Sequence, residues 1–201
     1  MSKLTPADRV MLLATGLLAA YQVAFGIEGT GTLAMASFTV AFGLILLEAW
    51  ITMILGFEVL ESPTVVILST VIPLGLSLGL VVEYLPGYRT IYLVFAALGL
   101  LVIAITRFAS PGRIAALTVV VVHGVAGILI FILPLYLSLS GRLPVGFSLV
   151  SLGGGLIGLA GLLLSFLKTT RPLLSQQAIW SLLPGLFLLA TLAFVVGFQF
   201  V

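Results

Sequence analysis

Two ionisable residues lie deep inside apolar segments of this chain, and their side chains are the ones best suited to chemistry. Glu48 stands in "GLILLEAWITMI" and His123 stands in "VVVVHGVAG". A charged side chain at the centre of a bilayer costs about 2.5–3.5 kcal/mol on insertion scales, so such a group must be neutral, paired or hydrated. A carboxyl and an imidazole that share a proton would make a proton relay or an ion site. Glu48 and His123 are therefore the candidate site.

Structural roles compete with this interpretation. A neutral Glu48 could hydrogen-bond to a backbone carbonyl or to a hydroxyl, and a histidine beside Gly124 commonly makes one interhelical hydrogen bond. His123 could also be an axial ligand to a haem or a chlorin-type pigment that is shared with another subunit. Because the chain has one histidine, a bis-histidine haem within one protomer is excluded. We predict no cofactor, and haem is the one group left open.

The composition places these residues in a lipid environment. Of the 201 residues, 62% are hydrophobic and 7% are charged, and the mean hydropathy is +1.38. Soluble domains carry about 25% charged residues, so this chain is predicted to be an integral membrane protein. The chain contains no cysteine, which excludes disulfides, iron–sulfur ligation and thiolate zinc sites. The eight basic residues form no cluster that would indicate nucleic-acid binding.

Continuous apolar runs predict an all-α polytopic membrane protein with seven transmembrane helices, because spanning takes roughly 20 apolar residues. Gly, Pro or charged residues separate the runs, as turns require, and no connection is long enough for a soluble domain, so residues 1–201 form one domain. "TPAD" at Thr5 predicts a helix start, and we expect the first run to be retained rather than cleaved. The predicted spans are Val10–Ile27, Leu33–Val59, Val65–Leu85, Ile91–Phe108, Ile114–Ser138, Val145–Leu167 and Ala178–Val201.

These spans set the depth of the two candidates. Glu48 would lie about two residues past the middle of the second helix, or roughly 3 Å toward the cytoplasm. His123 would lie about three residues to the cytoplasmic side of the middle of the fifth helix, or roughly 4.5 Å from it. A carboxylate–imidazole pair is therefore predicted to be geometrically feasible if the two helices are neighbours.

Two signals predict the orientation. By the positive-inside rule, the more basic side is cytoplasmic, which puts the N-terminus inside and the C-terminus outside the plasma membrane. All five tyrosines fall near the predicted outer ends, where amphipathic rings favour the interface. The cytoplasmic cations would be Lys3, Arg9, Arg107, Arg113, Lys168 and Arg171, and the outer ones Arg89 and Arg142.

Glycine spacing predicts where helices pack closely. Small residues let backbones approach, and GxxxG pairs are typical of such contacts. The predicted packing residues are Gly75 and Gly79 in the third helix and Ser151, Gly154, Gly158 and Gly161 in the sixth. Prolines are predicted to kink three helices, and these are Pro73, Pro134 and Pro184.

Other chemistry is weakly supported. Glu58 and Glu61 lie three residues apart at the predicted cytoplasmic end of the second helix and would face the same way; they could bind a cation or a basic partner, or be a solvated helix end. The sequence has no nucleophile elbow for serine hydrolysis and no lysine in the last helix to hold a retinal pigment. It also has too few ligands for a metalloenzyme. Catalysis by the chain alone is not expected.

Three functions follow. We favour a small subunit that packs within a larger membrane complex, such as a respiratory or other energy-transducing complex, because the chain has little surface outside the bilayer. Its partners would be lipid and other transmembrane subunits; a homo-oligomer is the other arrangement. The alternatives are a small proton- or cation-coupled transporter or channel centred on Glu48 and His123, and a haem- or pigment-binding electron-transfer subunit that uses His123.

Overall fold

The computed structural model describes residues 4–109, 112–166 and 174–201. In these ranges the chain forms seven α-helices and no strand. All seven are long and apolar enough to cross a membrane, so the prediction of a seven-helix membrane protein is confirmed. The helices are α1 (Pro6–Phe25), α2 (Thr32–Leu55), α3 (Pro63–Tyr84), α4 (Arg89–Ala109), α5 (Arg113–Leu139), α6 (Ser148–Phe166) and α7 (Gln176–Gly197).

The first helix begins where its sequence predicts. The Thr5 hydroxyl accepts a hydrogen bond from the Asp8 backbone N–H at 3.2 Å, and the Asp8 carboxylate accepts one from the Thr5 N–H at 2.8 Å. This reciprocal arrangement satisfies two backbone donors that a helix start otherwise leaves free. Pro6 occupies the first turn, where its missing N–H has no cost.

The second helix ends earlier than predicted. α2 stops at Leu55 because Gly56 adopts a φ of +86°, a conformation that favours glycine. A separate 3₁₀ helix, Phe57–Glu61, follows. The prediction that the second span continues to Val59 is therefore wrong, and Glu58 and Glu61 belong to the 3₁₀ helix rather than to the end of α2.

Six helices close into a ring. Each packs against the next in the order α1, α2, α3, α5, α6 and α7, and α7 returns to α1. α4 lies outside this ring and packs against α3 and α5. A buried hydrogen bond of 2.6 Å from the Tyr92 hydroxyl to the Ser77 Oγ ties α4 to α3. We call the end of the bundle that holds the N-terminus of α1 the inner end and the opposite end the outer end.

Aromatic side chains fill the ring toward its outer end. Phe38 and Phe42 of α2 meet Phe198, which follows α7, with ring centroids 4.8 and 6.1 Å apart. Phe147 and Phe194 join the same buried cluster. At the inner end, Phe57 stacks on Trp180 with centroids 5.0 Å apart. The centre of the bundle is thus held by side-chain packing, which is the main stabilising term between helices in lipid.

The predicted glycines divide into two groups. A Cβ at Gly75 would lie 2.9 Å from the Ser37 carbonyl oxygen, and one at Gly79 would lie 2.4 Å from the Phe38 ring, so both pack α3 against α2. A Cβ at Gly154 would lie 2.7 Å from Ile130 of α5. Ser151 is also buried, but Gly158 and Gly161 have nothing within 4 Å of such a Cβ. The sixth-helix set is therefore not one continuous packing groove within the chain.

The helices continue through their prolines. Pro73 lies inside α3, Pro134 inside α5 and Pro184 inside α7. Each proline removes one backbone donor from its helix, so the carbonyl four residues earlier loses its usual partner.

The described arginines lie near the two ends of the bundle. Arg9 lies in the first turn of α1, Arg107 in the last turn of α4 and Arg113 at the start of α5, so these three share the inner end. Arg89 begins α4 at the outer end. The predictions for Lys3, Lys168 and Arg171, and for Leu167 as the end of the sixth span, lie outside the described residues. Which side of the membrane the inner end faces stays a prediction.

Candidate functional site

Glu48 lies in the inner half of the membrane-spanning part of α2. Because α2 ends at Leu55, Glu48 is about 4.5 residues past the middle of the helix, or roughly 7 Å. The sequence alone predicts that Glu48 lies two residues past the middle. That value is too small because the predicted helix continued to Val59. The neighbouring positions Ile45, Ala49 and Thr52 are buried, whereas Glu48 itself is partly buried. The carboxyl therefore borders the interior of the bundle.

The partner of Glu48 is a serine of the next helix. The Ser69 hydroxyl of α3 is hydrogen-bonded to the Glu48 Oε1. The same hydroxyl oxygen lies 2.8 Å from the Val65 carbonyl oxygen, four residues earlier in α3. The carboxyl is thus joined through one hydroxyl to the backbone of a second helix.

Pro73 changes the backbone at this point of α3. A proline has no N–H and cannot donate to the carbonyl four residues before it, which here belongs to Ser69. The side chain of Ser69 contacts Glu48, and its carbonyl is released from the helical pattern. A carboxyl, a hydroxyl and a released carbonyl therefore occur together at the contact of α2 and α3.

His123 has a different environment. Its Nδ1 lies 3.1 Å from the Val119 carbonyl oxygen, one turn earlier in α5. A carbonyl only accepts hydrogen bonds, so Nδ1 carries the hydrogen and Nε2 of the neutral ring carries a lone pair. No described residue provides a hydrogen bond to Nε2. The guanidinium of Arg107 acts electrostatically on the ring, and the Arg107 Nε is buried without a hydrogen-bond partner among the described residues.

The structure does not bring Glu48 and His123 together. Glu48 is bonded to Ser69, and His123 to Val119. α3 packs against both α2 and α5, and these two helices have at most marginal contact with each other in the described chain. The two residues share a half of the membrane, but α3 separates them.

The remaining acidic candidates lie at the inner end. Glu58 is exposed on the 3₁₀ helix after α2, and the side chain of Glu61 lies outside the described set. Within the described ranges, no three His, Cys, Asp or Glu side chains are grouped so that they could hold a metal ion.

Comparisons of the chain with protein families, curated proteins and solved structures find no match. The functional assignment therefore depends on the geometry of the site.

Two residues that bear on the site were not among the sequence candidates. Ser69 is one of many small polar residues in apolar helices, and its only signal is its place four residues before Pro73. The sequence predicts Arg107 only as a cytoplasmic cation, because nothing in a single sequence shows that the charge of Arg107 on α4 acts on His123 of α5.

Proposed function

We propose that this seven-helix membrane protein is a non-catalytic subunit of a larger complex in the plasma membrane. The supporting observation is an open glycine surface near the middle of α5 and in the inner half of α6. In the described chain, a Cβ at each of its members would meet nothing within 4 Å. The open glycine surface consists of Gly124, Gly127, Gly158 and Gly161.

These glycines lie at corresponding levels of two adjacent helices. Ile130 meets Gly154 and Phe131 meets Gly155, which fixes the register of the antiparallel pair. Gly158 follows Gly154 by four residues and therefore lies level with Gly127 and its neighbours on α5. Gly161 follows Gly154 by seven residues and lies level with His123 and Gly124.

Such a surface suits another transmembrane helix. Lipid tails gain little by covering backbone, whereas a partner helix with small side chains can approach closely and gain dispersion contacts and weak hydrogen bonds. We therefore assign the surface to a helix of a different membrane polypeptide.

The replacement of Gly158 by leucine tests this assignment. Purification from native membranes in a mild detergent should retain a second polypeptide at a fixed ratio with the wild type. Gly158→Leu should reduce that retention at least about tenfold, the factor that a loss of 1.4 kcal/mol produces, because the side chain would hold the partner helix away. The thermal stability of the isolated chain should not change, since the site is open.

Gly43→Leu is the matched control, because a Cβ at Gly43 on α2 also meets nothing within 4 Å. It should retain the partner. A chain that purifies only with copies of itself, or a partner that both variants retain equally, would contradict the proposal.

His123 supports a second candidate, a haem-binding subunit. Histidines that bind metals usually donate their other ring N–H to a carbonyl or carboxylate, which fixes the tautomer. The Nδ1 contact with Val119 has this form and leaves Nε2 available for a haem iron. The cation of Arg107 would suit a haem carboxylate, and the second axial ligand would come from a partner.

A visible absorption spectrum of the purified complex tests this candidate. Haem ligated by His123 predicts a Soret band that His123→Ala removes and that Glu48→Gln, on a different pair of helices, leaves in place. A colourless protein from haem-supplied cells would exclude it, and so would a Soret band that His123→Ala does not affect.

A further inference from the structure

We propose that Glu48 and Ser69 form a proton-binding site inside the membrane, in which the Ser69 hydroxyl reverses its direction as the carboxyl gains or releases a proton. The site lies between α2 and α3, away from the open glycine surface, so it does not depend on the docking proposal.

The count of hydrogens at Ser69 supports this inference. The Ser69 Oγ is within bonding distance of both the Glu48 Oε1 and the Val65 carbonyl oxygen. A hydroxyl has one hydrogen to donate, whereas a carboxylate and a carbonyl only accept. One of the two contacts therefore lacks a hydrogen unless Glu48 supplies it.

A proton on Glu48 completes both bonds. The protonated carboxyl donates to the Ser69 Oγ, and the Ser69 hydroxyl donates to the Val65 carbonyl at 2.8 Å. When the carboxyl releases its proton, the Ser69 hydroxyl turns and donates to the Glu48 carboxylate, and the Val65 carbonyl keeps the helical N–H of Ser69. Each protonation state thus has its own set of hydrogen bonds, and the exchange needs only the rotation of one hydroxyl.

The lipid environment favours the set of hydrogen bonds in which Glu48 is protonated and neutral. A carboxylate in the apolar part of a bilayer costs several kcal/mol relative to its neutral form, and one hydroxyl does not replace the lost hydration. Among the described residues, Ser69 is the one side chain hydrogen-bonded to Glu48, and no cation forms an ion pair with the carboxyl to offset this cost. The other titratable groups described on the elements that pack against α2 make no hydrogen bond or ion pair with Glu48; they are Asp8, Arg9, Tyr21, Glu58, Glu83 and Tyr84.

The site is also placed to exchange its proton. Glu48 is partly exposed at the surface of the bundle, where lipid tails surround it, so a base that takes up its proton must approach from outside the chain. The released Ser69 carbonyl beside Pro73 adds a second acceptor within the same turn of α3.

Infrared spectroscopy of the wild-type chain in lipid tests the proposal. The wild type should show a hydrogen-bonded, protonated carboxyl band at neutral pH that Glu48→Gln removes, and raising the pH should replace the band reversibly by carboxylate bands. Ser69→Ala should shift its frequency, because the acceptor is gone. A carboxylate at neutral pH, or a protonated band that no pH converts while the protein stays folded, would overturn the proposal.

Glu28→Gln is the control, because Glu28 is exposed at the outer end and its removal should leave the band intact. Labelling with a hydrophobic carbodiimide gives an independent measurement, since the reagent adds to protonated carboxyls in apolar surroundings. The wild type should be labelled at Glu48 and Glu48→Gln should not be labelled there; a label confined to Glu28 or Glu58 would overturn the proposal.

Discussion

Gly75→Ala is expected to lower the free energy of unfolding by about 2 kcal/mol, within the range measured for overpacked cores. The new Cβ would lie 2.9 Å from the Ser37 carbonyl oxygen and 3.1 Å from the Ala41 Cβ. The nearer of these atoms belongs to the backbone of α2, so no side chain can turn away to relieve the clash. α2 and α3 must therefore move apart, which weakens the dispersion attraction along the whole interface.

Unfolding in mixed micelles with an increasing fraction of a denaturing detergent measures this change. The same substitution at Gly43 should be neutral or stabilising, because nothing lies within 4 Å of its Cβ and alanine favours the helix over glycine. If Gly75→Ala and Gly43→Ala have equal stability, α2 and α3 do not approach at Gly75 as described.

Phe194→Ala is expected to lower the free energy of unfolding by about 3 kcal/mol, at the lower end of the range for the removal of a buried aromatic side chain. Phe194 is 1% exposed, meets Phe42 edge to face with centroids 6.5 Å apart and covers Gly153, whose Cβ would lie 2.7 Å from its ring. The value is at the lower end because lipid, unlike water, does not penalise an apolar side chain in the unfolded state. The remaining cost comes from the cavity, because the atoms that line it no longer have the ring to attract.

The same mixed-micelle measurement checks this effect. Phe108→Ala is the matched control, since Phe108 is 67% exposed near the end of α4 and should change the stability by less than about 0.5 kcal/mol. Phe194→Leu should recover part of the loss, because leucine refills some of the volume. Equal effects at Phe194 and Phe108 would contradict the aromatic core of the ring.

The seven helices and most of their ends follow from local sequence alone. Apolar runs long enough to span a bilayer have one stable backbone solution, because each backbone group must be bonded within the segment. Local chemistry likewise determined the start of α1 at Thr5 and Pro6. The apolar run did not show that α2 ends before Gly56, where the backbone adopts a positive φ. Glu48 therefore lies further from the middle of the helix than the run suggested.

Which faces of the helices meet depends instead on how the helices pack in three dimensions. In soluble helices a polar face shows which side is outside, but lipid and protein interior are both apolar, so these helices carry no such contrast. The pairing of Glu48 with Ser69 and its separation from His123 follow from the position of α3 between α2 and α5. The division between Gly154, which packs, and Gly158, which is open, follows from the rotation of α6 against α5, because identical glycines differ only in what the neighbouring helix places opposite them.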